Sequence, residues 1–256
     1  MRIAHISDLH ITENSEFKNK VFERGQKAVN TLDPQPDLVF ISGDITWDGI
    51  LSEYELALEK IKGFSGTTML IPGNHDSRHL GYRIFEEFFG SLEFFKVVEK
   101  TQVMGLDSSE PDLDEGHIGR KKYNWIEGNL RDVNGIKIVG FHHHLLPVPN
   151  AGREKNILND AGEVLDLILR NSVALVLMGH RHVPYAVRVH NTLMVNAGAF
   201  SSSRTRAHLG NSFNIIDCHE QSISVSTYGI EKEKLKLMVE FDWGKEVYMN
   251  RFYTQP

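Results

Sequence analysis

Five short apolar segments limit what this chain can fold into more than any other feature of its sequence. They cover residues 2–7, 37–42, 68–72, 135–141 and 173–178, and each is followed at once by Gly, Asp or His. Segments of four to eight residues that are rich in β-branched side chains are typical of buried strands. Polar or glycine residues directly after such segments mark turns. The sequence therefore predicts five buried strands, each ending in a turn.

Helical patterns lie between these strands. Residues 17–32 and 160–170 repeat apolar side chains with a period close to 3.6, which is typical of amphipathic helices. The alternation of strands and helices favours a layered α/β fold. From about Thr192 onwards the pattern changes to strands with short turns, which predicts an antiparallel second sheet. We interpret residues 1–256 as a single domain whose C-terminal strands, about 192–256, complete the second sheet.

Composition and charge exclude several classes of protein. The longest apolar run, residues 173–178, is far shorter than the ~20 residues that span a bilayer, and the first ten residues lack the apolar region of a secretory signal. A single cysteine, Cys218, excludes an intramolecular disulfide and fits a reducing compartment. A formal net charge of −6 gives no electrostatic footprint for nucleic acid. We therefore expect a cytoplasmic protein that binds neither membrane nor nucleic acid.

The residues that follow the five predicted strands belong to a few chemical types. They are carboxylates, imidazoles and one carboxamide, at Asp8, His10, Asp44, Asn74, His75, His142, His180 and His182. In open α/β sheets, ligands bind outside the carboxyl ends of the strands. If the five segments are parallel strands of one sheet, these side chains converge at one edge.

This set of side chains suits metal ions. Carboxylates, imidazoles and an amide oxygen, without a thiolate, are suitable ligands for divalent or trivalent first-row metals such as Mn, Fe, Zn and Co. Side chains alternate along an extended chain, so Asp8-x-His10 and His180-x-His182 each place two ligands on one side. Seven ligating groups are too many for one ion but suit two ions ~3.5–4 Å apart. Such a pair clamps the attacking and leaving oxygens of a displacement at phosphorus.

Each motif alone also has a purely structural interpretation. A single Asp-x-His or Gly-Asp after a strand is more often a turn than a site. Three consecutive histidines, His142 to His144, can form a solvated loop. The run Gly73-Asn74-His75-Asp76 is harder to explain in this way, because four functional residue types follow a strand without a gap. The occurrence of all five motifs together favours a site.

The series Asp8-x-His10, Gly43-Asp44, Gly73-Asn74-His75-Asp76, His142 and Gly179-His180-x-His182 resembles the motifs of the calcineurin-like metallophosphoesterase superfamily, in the family's order. The run Gly43-Asp-Ile-Thr-Trp-Asp-Gly49 is similar to a pattern of its class III cyclic-nucleotide phosphodiesterase group. The motifs span about two thirds of the chain. The resemblance implies an α/β fold, a four-layer α/β/β/α sandwich in which helices flank two mixed sheets.

The resemblance also implies a role for each motif residue. One metal ion would be held by Asp8, His10 and His182, the other by Asn74, His142 and His180, and Asp44 would bridge the two. His75 would be catalytic, either contacting a phosphoryl oxygen or protonating the leaving alkoxide.

Three points stay open at the level of sequence. Asp76, also assigned to the catalytic group, would either orient His75 through a hydrogen bond or cap a turn. His143 or His144 could take the place of His142 as ligand. Arg78, His143 and Arg153 are candidate substrate-binding residues, because they lie next to the motifs in sequence.

These roles imply a metal-dependent phosphodiesterase. We expect a metal-bridging hydroxide to attack small phosphodiesters, either 3′,5′-cyclic nucleotides or glycerophosphodiester-like molecules. The resemblance further suggests a homodimer formed through the C-terminal strands.

Two other functions fit the same fold. A DNA nuclease of the recombination-repair type shares several motifs, but it usually has Gly-Asp-Leu-Phe where this chain has Gly43-Asp-Ile-Thr46. The net charge of −6 also disfavours DNA, whose binding needs Lys and Arg to neutralise phosphates. A non-catalytic interaction scaffold is the second alternative, but every ligand type is present here.

Overall fold

A computed structural model describes residues 1–130, 135–153, 155–242 and 248–249. Thirteen strands lie in these ranges: β1 Arg2–Ile6, β2 Leu38–Ser42, β3 Thr67–Ile71, β4 Phe94–Val98, β5 Thr101–Gly105, β6 Lys137–Gly140, β7 Leu175–Met178, β8 Tyr185–Val189, β9 Thr192–Asn196, β10 Ser212–Cys218, β11 Ser222–Gly229, β12 Lys234–Asp242 and β13 Tyr248–Met249. The same ranges contain five α-helices: α1 Asn19–Asn30, α2 Leu51–Ile61, α3 Gly81–Phe89, α4 Arg120–Leu130 and α5 Ala161–Arg170.

The strands form two mixed sheets. The first has seven strands in the order β13-β12-β11-β10-β1-β2-β3, in which β1, β2 and β3 run parallel and β10 to β13 pair antiparallel. The second has six strands in the order β4-β5-β6-β7-β9-β8, in which β5, β6, β7 and β9 run parallel. The antiparallel strands β4 and β8 form the edges of this second sheet.

The five motif-bearing strands do not share one sheet, so the condition under which we considered their convergence is not met. Strands β1, β2 and β3 belong to the seven-stranded sheet, whereas β6 and β7 belong to the six-stranded sheet. Strands from the middle of either sheet are apolar on both faces, so their sequences look alike. The pattern of the strands therefore does not tell which sheet each one joins.

The strands after Thr192 also differ from expectation, because they form no sheet of their own. Strand β9 joins the six-stranded sheet beside β7, and β10 pairs with β1 in the first sheet, from Arg2↔Asp217 to His5↔Asn214. An extra strand on the open side of β1 satisfies backbone groups that would otherwise be unpaired. Part of the predicted C-terminal strand region, residues 243–247 and 250–256, lies outside the described residues.

Alternating side chains place the sheets in layers. In β1, Ile3 packs into the core between the sheets, whereas Ala4 packs towards the helices. The hydrophobic cluster that contains Ala4 joins the outer face of the seven-stranded sheet to α1, α2 and α3. Helices α4 and α5 contribute side chains to the hydrophobic cluster that contains Ile3 and residues of the six-stranded sheet. The predicted four-layer α/β/β/α sandwich is confirmed.

The two sheets meet closely at the carboxyl ends of β1 and β7. A Cβ atom on Gly179 would lie 1.9 Å from Ser7 Oγ, so only glycine fits there. The backbone NH of His180 donates to Asp8 Oδ2 across the sheets at 3.1 Å. The five motif-bearing strands therefore end together although they come from two sheets. Among the described residues, no helix has the length and apolar character needed to cross a membrane.

Candidate metal centre

The predicted ligands lie on turns that follow the strands, and most of these turns have a left-handed backbone. The φ angles are 56° at Asp8, 50° at His10, 53° at Asp44, 69° at His180 and 55° at His182. Asp, Asn and His enter this region more readily than other residues with a Cβ atom. The turns aim consecutive motif residues into one buried space rather than to opposite sides.

One group of donor atoms is formed by Asp8, His10, Asp44 and His182, whose ligating atoms all lie within 4.8 Å of one another. His182 Nε2 lies 3.1 Å from Asp8 Oδ1 and 3.2 Å from His10 Nε2. His10 Nε2 is also 3.6 Å from Asp44 Oδ2. Asp8 and His10 follow β1, Asp44 follows β2, and His182 follows β7, so this group joins both sheets.

A second group of donor atoms contains Asp44, His142 and His180. His142 Nε2 lies 3.3 Å from Asp44 Oδ2 and 3.3 Å from His180 Nδ1. The carbonyl oxygen of the Asn74 side chain lies 3.1 Å from the same nitrogen of His180. The Asp44 carboxylate therefore belongs to both groups, as expected of a residue that bridges two ions.

The chemistry of these groups fits metal ions. Imidazole nitrogens that face one another at 3.2–3.3 Å could serve as ligands of a common metal ion. Asp8 Oδ1 is buried and accepts no hydrogen bond of good geometry from the described residues. The remaining ring nitrogens of His142 and His182 lie at hydrogen-bond distance from the backbone oxygens of Ser42 and Arg204, which orients the rings inward.

Burial and close charges shift the pKa values of these side chains in opposite directions. Burial lowers the pKa of His142, but the nearby carboxylates, Asp44 first, outweigh it and raise that pKa to about 9. Burial and neighbouring imidazoles hold the pKa of His10 and of His180 well below the ordinary value. Burial raises the pKa of Asp44, yet the histidines around it bring that pKa well below the ordinary value. His10 and His180 are thus neutral, as metal ligation requires, whereas the carboxylates beside His142 keep it protonated at neutral pH. His142 would therefore release its proton on binding a metal ion.

The structure distinguishes among the three consecutive histidines. His142 belongs to the second group of donor atoms. His143 Nδ1 lies 2.9 Å from Ser108 Oγ, and its Nε2 lies 3.1 Å from the backbone oxygen of Asp114. The ring of His144 stacks on that of His180, with centroids 5.7 Å apart. His143 is also fully buried and does not line the cavity above the centre, so the structure places it away from the predicted substrate contact.

His75 lies beside the centre. Its backbone NH donates to Asp44 Oδ1 at 3.0 Å, and its ring packs edge-on against that of His10 with centroids 4.5 Å apart. Its Nδ1 donates to the backbone oxygen of Trp47, and Arg78 Nη1 lies 2.9 Å from the same nitrogen. The other side of the ring is therefore the one available to a ligand in the cavity.

Asp76 ties two turns together. Its carboxylate accepts hydrogen bonds from the backbone NH groups of Ile45, Thr46 and Gly73 at 2.8–3.1 Å, and from the Thr46 hydroxyl at 2.8 Å. Burial raises the pKa of Asp76 to about 6, and Asp44 adds to the rise. Of the two interpretations offered by the sequence, the structure agrees with Asp76 capping a turn: among the described residues, the His75 Nδ1 donates to the Trp47 carbonyl and not to Asp76.

A cavity of about 230 Å³ opens above the centre. Its lining includes the predicted substrate residues Arg78 and Arg153. Together with three further cations they form a set that we call the basic rim: Arg78, Arg153, Lys155, Arg204 and Arg206. The sequence analysis missed Arg204 and Arg206. Their basic character shortly after β9 is visible in the sequence, but their distance of over twenty residues from His182 hides their proximity to it.

Comparison with known proteins supports the same assignment. The sequence model of the family described as Calcineurin-like phosphoesterase matches residues 1–184. The chain belongs to this family. Members of the calcineurin-like phosphoesterase family use divalent metal ions, and the buried Asp and His groups fit them. The predicted superfamily and the predicted class, a metal-dependent phosphoric diester hydrolase, are confirmed.

Several curated relatives in this family carry names of phosphodiesterases. A probable cyclic nucleotide phosphodiesterase of Coxiella burnetii is 29% identical over 205 residues, which cover 78% of this chain and 83% of that protein. A probable glycerophosphodiester phosphodiesterase of Arcobacter nitrofigilis is 30% identical over 209 residues, with 75% and 74% covered. The 3′,5′-cyclic adenosine monophosphate phosphodiesterase CpdA of Escherichia coli is 26% identical over 192 residues, with 71% and 70% covered.

Solved structures share the fold of this family member. A purple acid phosphatase from yellow lupin superposes with a TM-score of 0.74 at 15% identity, covering 94% of this chain and 53% of that chain. The chain thus spans about half the length of the lupin protein. GAP50, an anchor in the inner membrane complex of Plasmodium, superposes with a TM-score of 0.70 at 10% identity, with 98% and 89% covered. At these identities the likeness concerns the fold alone.

Proposed function

We propose that this chain hydrolyses small phosphodiesters at a binuclear metal centre, with 3′,5′-cyclic nucleotides and glycerophosphodiester-like molecules as the first candidate substrates. The observation that carries the proposal is the shared carboxylate of Asp44, which stands between two groups of histidine nitrogens. The names of the relatives from Coxiella burnetii and Arcobacter nitrofigilis support these two substrate classes. The single cysteine supports a cytoplasmic setting, and residues 1–256 would act as one domain.

The ligands proposed for the two ions follow the two groups of donor atoms. Asp8, His10 and His182 would hold one ion, Asn74, His142 and His180 would hold the other, and Asp44 would be common to both. Bound metal would supply charge neutralisation at the phosphoryl group and activation of the attacking water.

His75 is the proposed catalytic residue. Its ring lines the cavity next to Asp44, and the Trp47 carbonyl fixes its orientation. With Nδ1 donating to Trp47, Nε2 is the atom that would interact with the substrate, and it can donate to a phosphoryl oxygen or to the leaving oxygen only in the imidazolium form. Burial lowers the pKa of His75, so the proposed role requires the negative charge of the substrate to stabilise that form. Asp76 would act as a positioning residue, because it holds together the turns that carry Asp44 and His75.

The experiment that tests the proposal compares two substrates and three proteins. Bis(p-nitrophenyl) phosphate and p-nitrophenyl phosphate are given to Mn²⁺-loaded wild type, His75→Ala and His219→Ala. His219 is an exposed histidine away from the cavity, so it is the matched control. We expect faster turnover of the diester, a loss of ~10²–10⁴-fold in kcat for His75→Ala, and no loss for His219→Ala.

The metal content of each protein is measured in parallel. Two ions per chain in all three proteins would show that His75→Ala affects the reaction rather than loading. A preference for the monoester, or full activity of His75→Ala, would contradict the proposal. Hydrolysis of duplex DNA that falls steeply with salt would instead favour the nuclease alternative, to which the basic rim also lends support.

A further inference from the structure

The basic rim is positively charged, although the chain as a whole has a negative net charge. The whole chain has a formal net charge of −6, yet six cationic side chains, the basic rim and Arg181, line the cavity above the candidate centre. Among the described residues, Asp114 is the only acidic side chain in that lining besides Asp44 of the centre itself. The cations are therefore far from balanced within the cavity.

Members of the basic rim differ in how they are engaged. Arg78 Nη2 donates to Asp114 Oδ1 at 2.9 Å. Arg204 stacks over the Trp47 ring at 4.3 Å, with its Nε 3.6 Å from a carboxylate oxygen of Glu16. Neither Arg153 nor Lys155 has a carboxylate of the described residues within ion-pair distance, and both are exposed. The charged groups of Arg153 and Lys155 are therefore accessible to an anionic ligand from solvent.

The loop that carries Arg153 and Lys155 is anchored by its backbone. Arg181 is buried, and its guanidinium donates to the backbone oxygens of Ala151, Arg153 and Lys155 at 2.9–3.3 Å. Arg206 donates to the same oxygen of Ala151. Since Arg181 lies between His180 and His182, the loop is fixed to the segment that provides two proposed ligands. The backbone at Arg153 and Lys155 thus keeps a defined position relative to the centre.

The amount of positive charge exceeds what a simple diester needs. A phosphodiester carries one negative charge, and the metal ions would already neutralise it. The cavity of about 230 Å³ is also smaller than the ~300–1,000 Å³ of typical small-molecule sites, so a larger ligand must extend to the rim. Guanidinium and ammonium groups at that rim bind phosphate or carboxylate through charge-assisted hydrogen bonds.

Resting on the proposed function, we infer that the substrate of this chain carries a second anionic group, a phosphate or a carboxylate, which Arg153 and Lys155 bind at the basic rim. The scissile diester would lie at the centre, and the second anion would lie at the edge of the cavity beside Arg153 and Lys155. The inference narrows the proposed substrates to phosphodiesters that carry a second anion, and it predicts a lower kcat/KM for 3′,5′-cyclic nucleotides, which carry one negative charge.

Two chromogenic esters test this inference. Thymidine 5′-(p-nitrophenyl phosphate) and its 3′-phosphorylated counterpart have the same scissile bond. In both, water adds to the 5′ phosphorus and p-nitrophenolate leaves, giving thymidine 5′-phosphate or thymidine 3′,5′-bisphosphate. We expect kcat/KM to be at least about tenfold higher for the 3′-phosphorylated ester, mainly through KM.

Substitution at the rim should remove this preference. In the double variant Arg153→Gln/Lys155→Gln, the ratio of kcat/KM between the two esters should fall towards one. The loop should stay in place, because the hydrogen bonds that Arg181 donates to Arg153 and Lys155 go to backbone oxygens, which both substitutions keep. Arg24→Gln changes an exposed arginine of α1 outside the cavity and should keep the wild-type ratio.

A binding measurement on the metal-free protein separates this inference from the proposed function. Calorimetry on EDTA-treated protein should give at least about tenfold tighter binding of thymidine 3′,5′-bisphosphate than of thymidine 5′-phosphate, and the double variant should lose the difference. Equal kcat/KM for the two esters in an active enzyme would overturn the second-anion inference and leave the phosphodiesterase proposal intact. Selective bisphosphate binding without hydrolysis of either ester would support the second-anion inference and contradict the phosphodiesterase proposal. Tighter competition by single-stranded oligothymidylate than by the bisphosphate would overturn the inference in favour of a polynucleotide ligand.

Discussion

At the scale of single residues, the direction of each side chain separates the proposed ligands from the residues next to them in sequence. His142 and His143 are adjacent and both fully buried, yet one faces Asp44 and the other faces Ser108 and the backbone of Asp114. The two residues differ in direction rather than in chemistry. A pair of alanine substitutions can therefore separate a ligand from a structural histidine.

We expect His142→Ala to lower the metal content from two ions to one per chain, because it removes a nitrogen from the second group of donor atoms. His143→Ala should keep two ions and lose ~1–3 kcal/mol of stability, because its buried partners lose hydrogen bonds. Metal analysis after dialysis and urea unfolding measure the two effects. Loss of metal from His143→Ala with His142→Ala fully loaded would contradict the assignment.

These two histidines also show where sequence reasoning ends. The residue types of the centre could be predicted from the motifs, because few polar side chains follow buried strands in this order. The choice between His142 and His143 could not, since it depends on Ser108, which lies over thirty residues away in the chain. The role of Asp76 was undetermined for the same reason, because its donors Ile45 and Thr46 belong to another turn.

Cys218 allows a second prediction at this scale. Burial of the side chain raises the pKa of its thiol to about 12. At pH 9 the native thiol should react with iodoacetamide ~10²–10³-fold more slowly than the thiol of the urea-unfolded chain, because the thiolate is the reactive form. Since the folded state resists ionisation, stability should fall as the pH rises above the pKa of an unfolded cysteine. Equal alkylation rates in the two states, measured by mass spectrometry, would contradict the burial.

At the scale of elements, the positions of the strands in the sequence were easier to predict than the pairing of one strand with another. The five apolar segments correspond to β1, β2, β3, β6 and β7, and the helical patterns at 17–32 and 160–170 contain α1 and α5. Their division between two sheets was not predictable. It depends on long-range pairing, such as that of β1 with β10, whose residues are more than two hundred positions apart.

Two helical glycines test how helix propensity and packing compete. Gly25 in α1 faces Phe200, and an added Cβ atom would lie 2.6 Å from that ring. Gly128 in α4 is exposed, and an added Cβ atom would meet nothing within 4 Å. We expect Gly25→Ala to destabilise the protein by ~1–3 kcal/mol and Gly128→Ala to stabilise it by ~0.5–1 kcal/mol. Urea unfolding measures both, and a stabilising Gly25→Ala would show that Phe200 can move aside.

At the scale of the whole molecule, the candidate centre connects the two sheets. Asp8, His10, Asp44 and Asn74 follow strands of the seven-stranded sheet, whereas His142, His180 and His182 follow strands of the six-stranded sheet. A bound metal pair would therefore hold together the halves of the sandwich. Stability and metal loading should be linked, because an ion that binds only the folded chain stabilises it.

We expect Mn²⁺ at about a hundred times its Kd to stabilise the metal-free protein by ~2.7 kcal/mol per bound ion, or a rise in Tm of ~5–10 °C for each of the two ions. Calorimetric unfolding with and without metal measures the shift, and EDTA should reverse it. His180→Ala should show a smaller rise, because it removes a ligand on the six-stranded side. An unchanged Tm in protein that binds two ions would exclude a centre spanning the sheets.

The left-handed turns at the proposed ligands carry a lesson for protein engineering. Gly adopts such a backbone more easily than the buried Asp and His residues that occupy it here, and it would bring no charge into the interior. Replacing these side chains with Gly would relax the backbone and remove buried charge, but it would also remove the carboxylates that accept the backbone NH groups of His75 and His180. An engineer of a metal-free variant would therefore have to provide new acceptors at these turns.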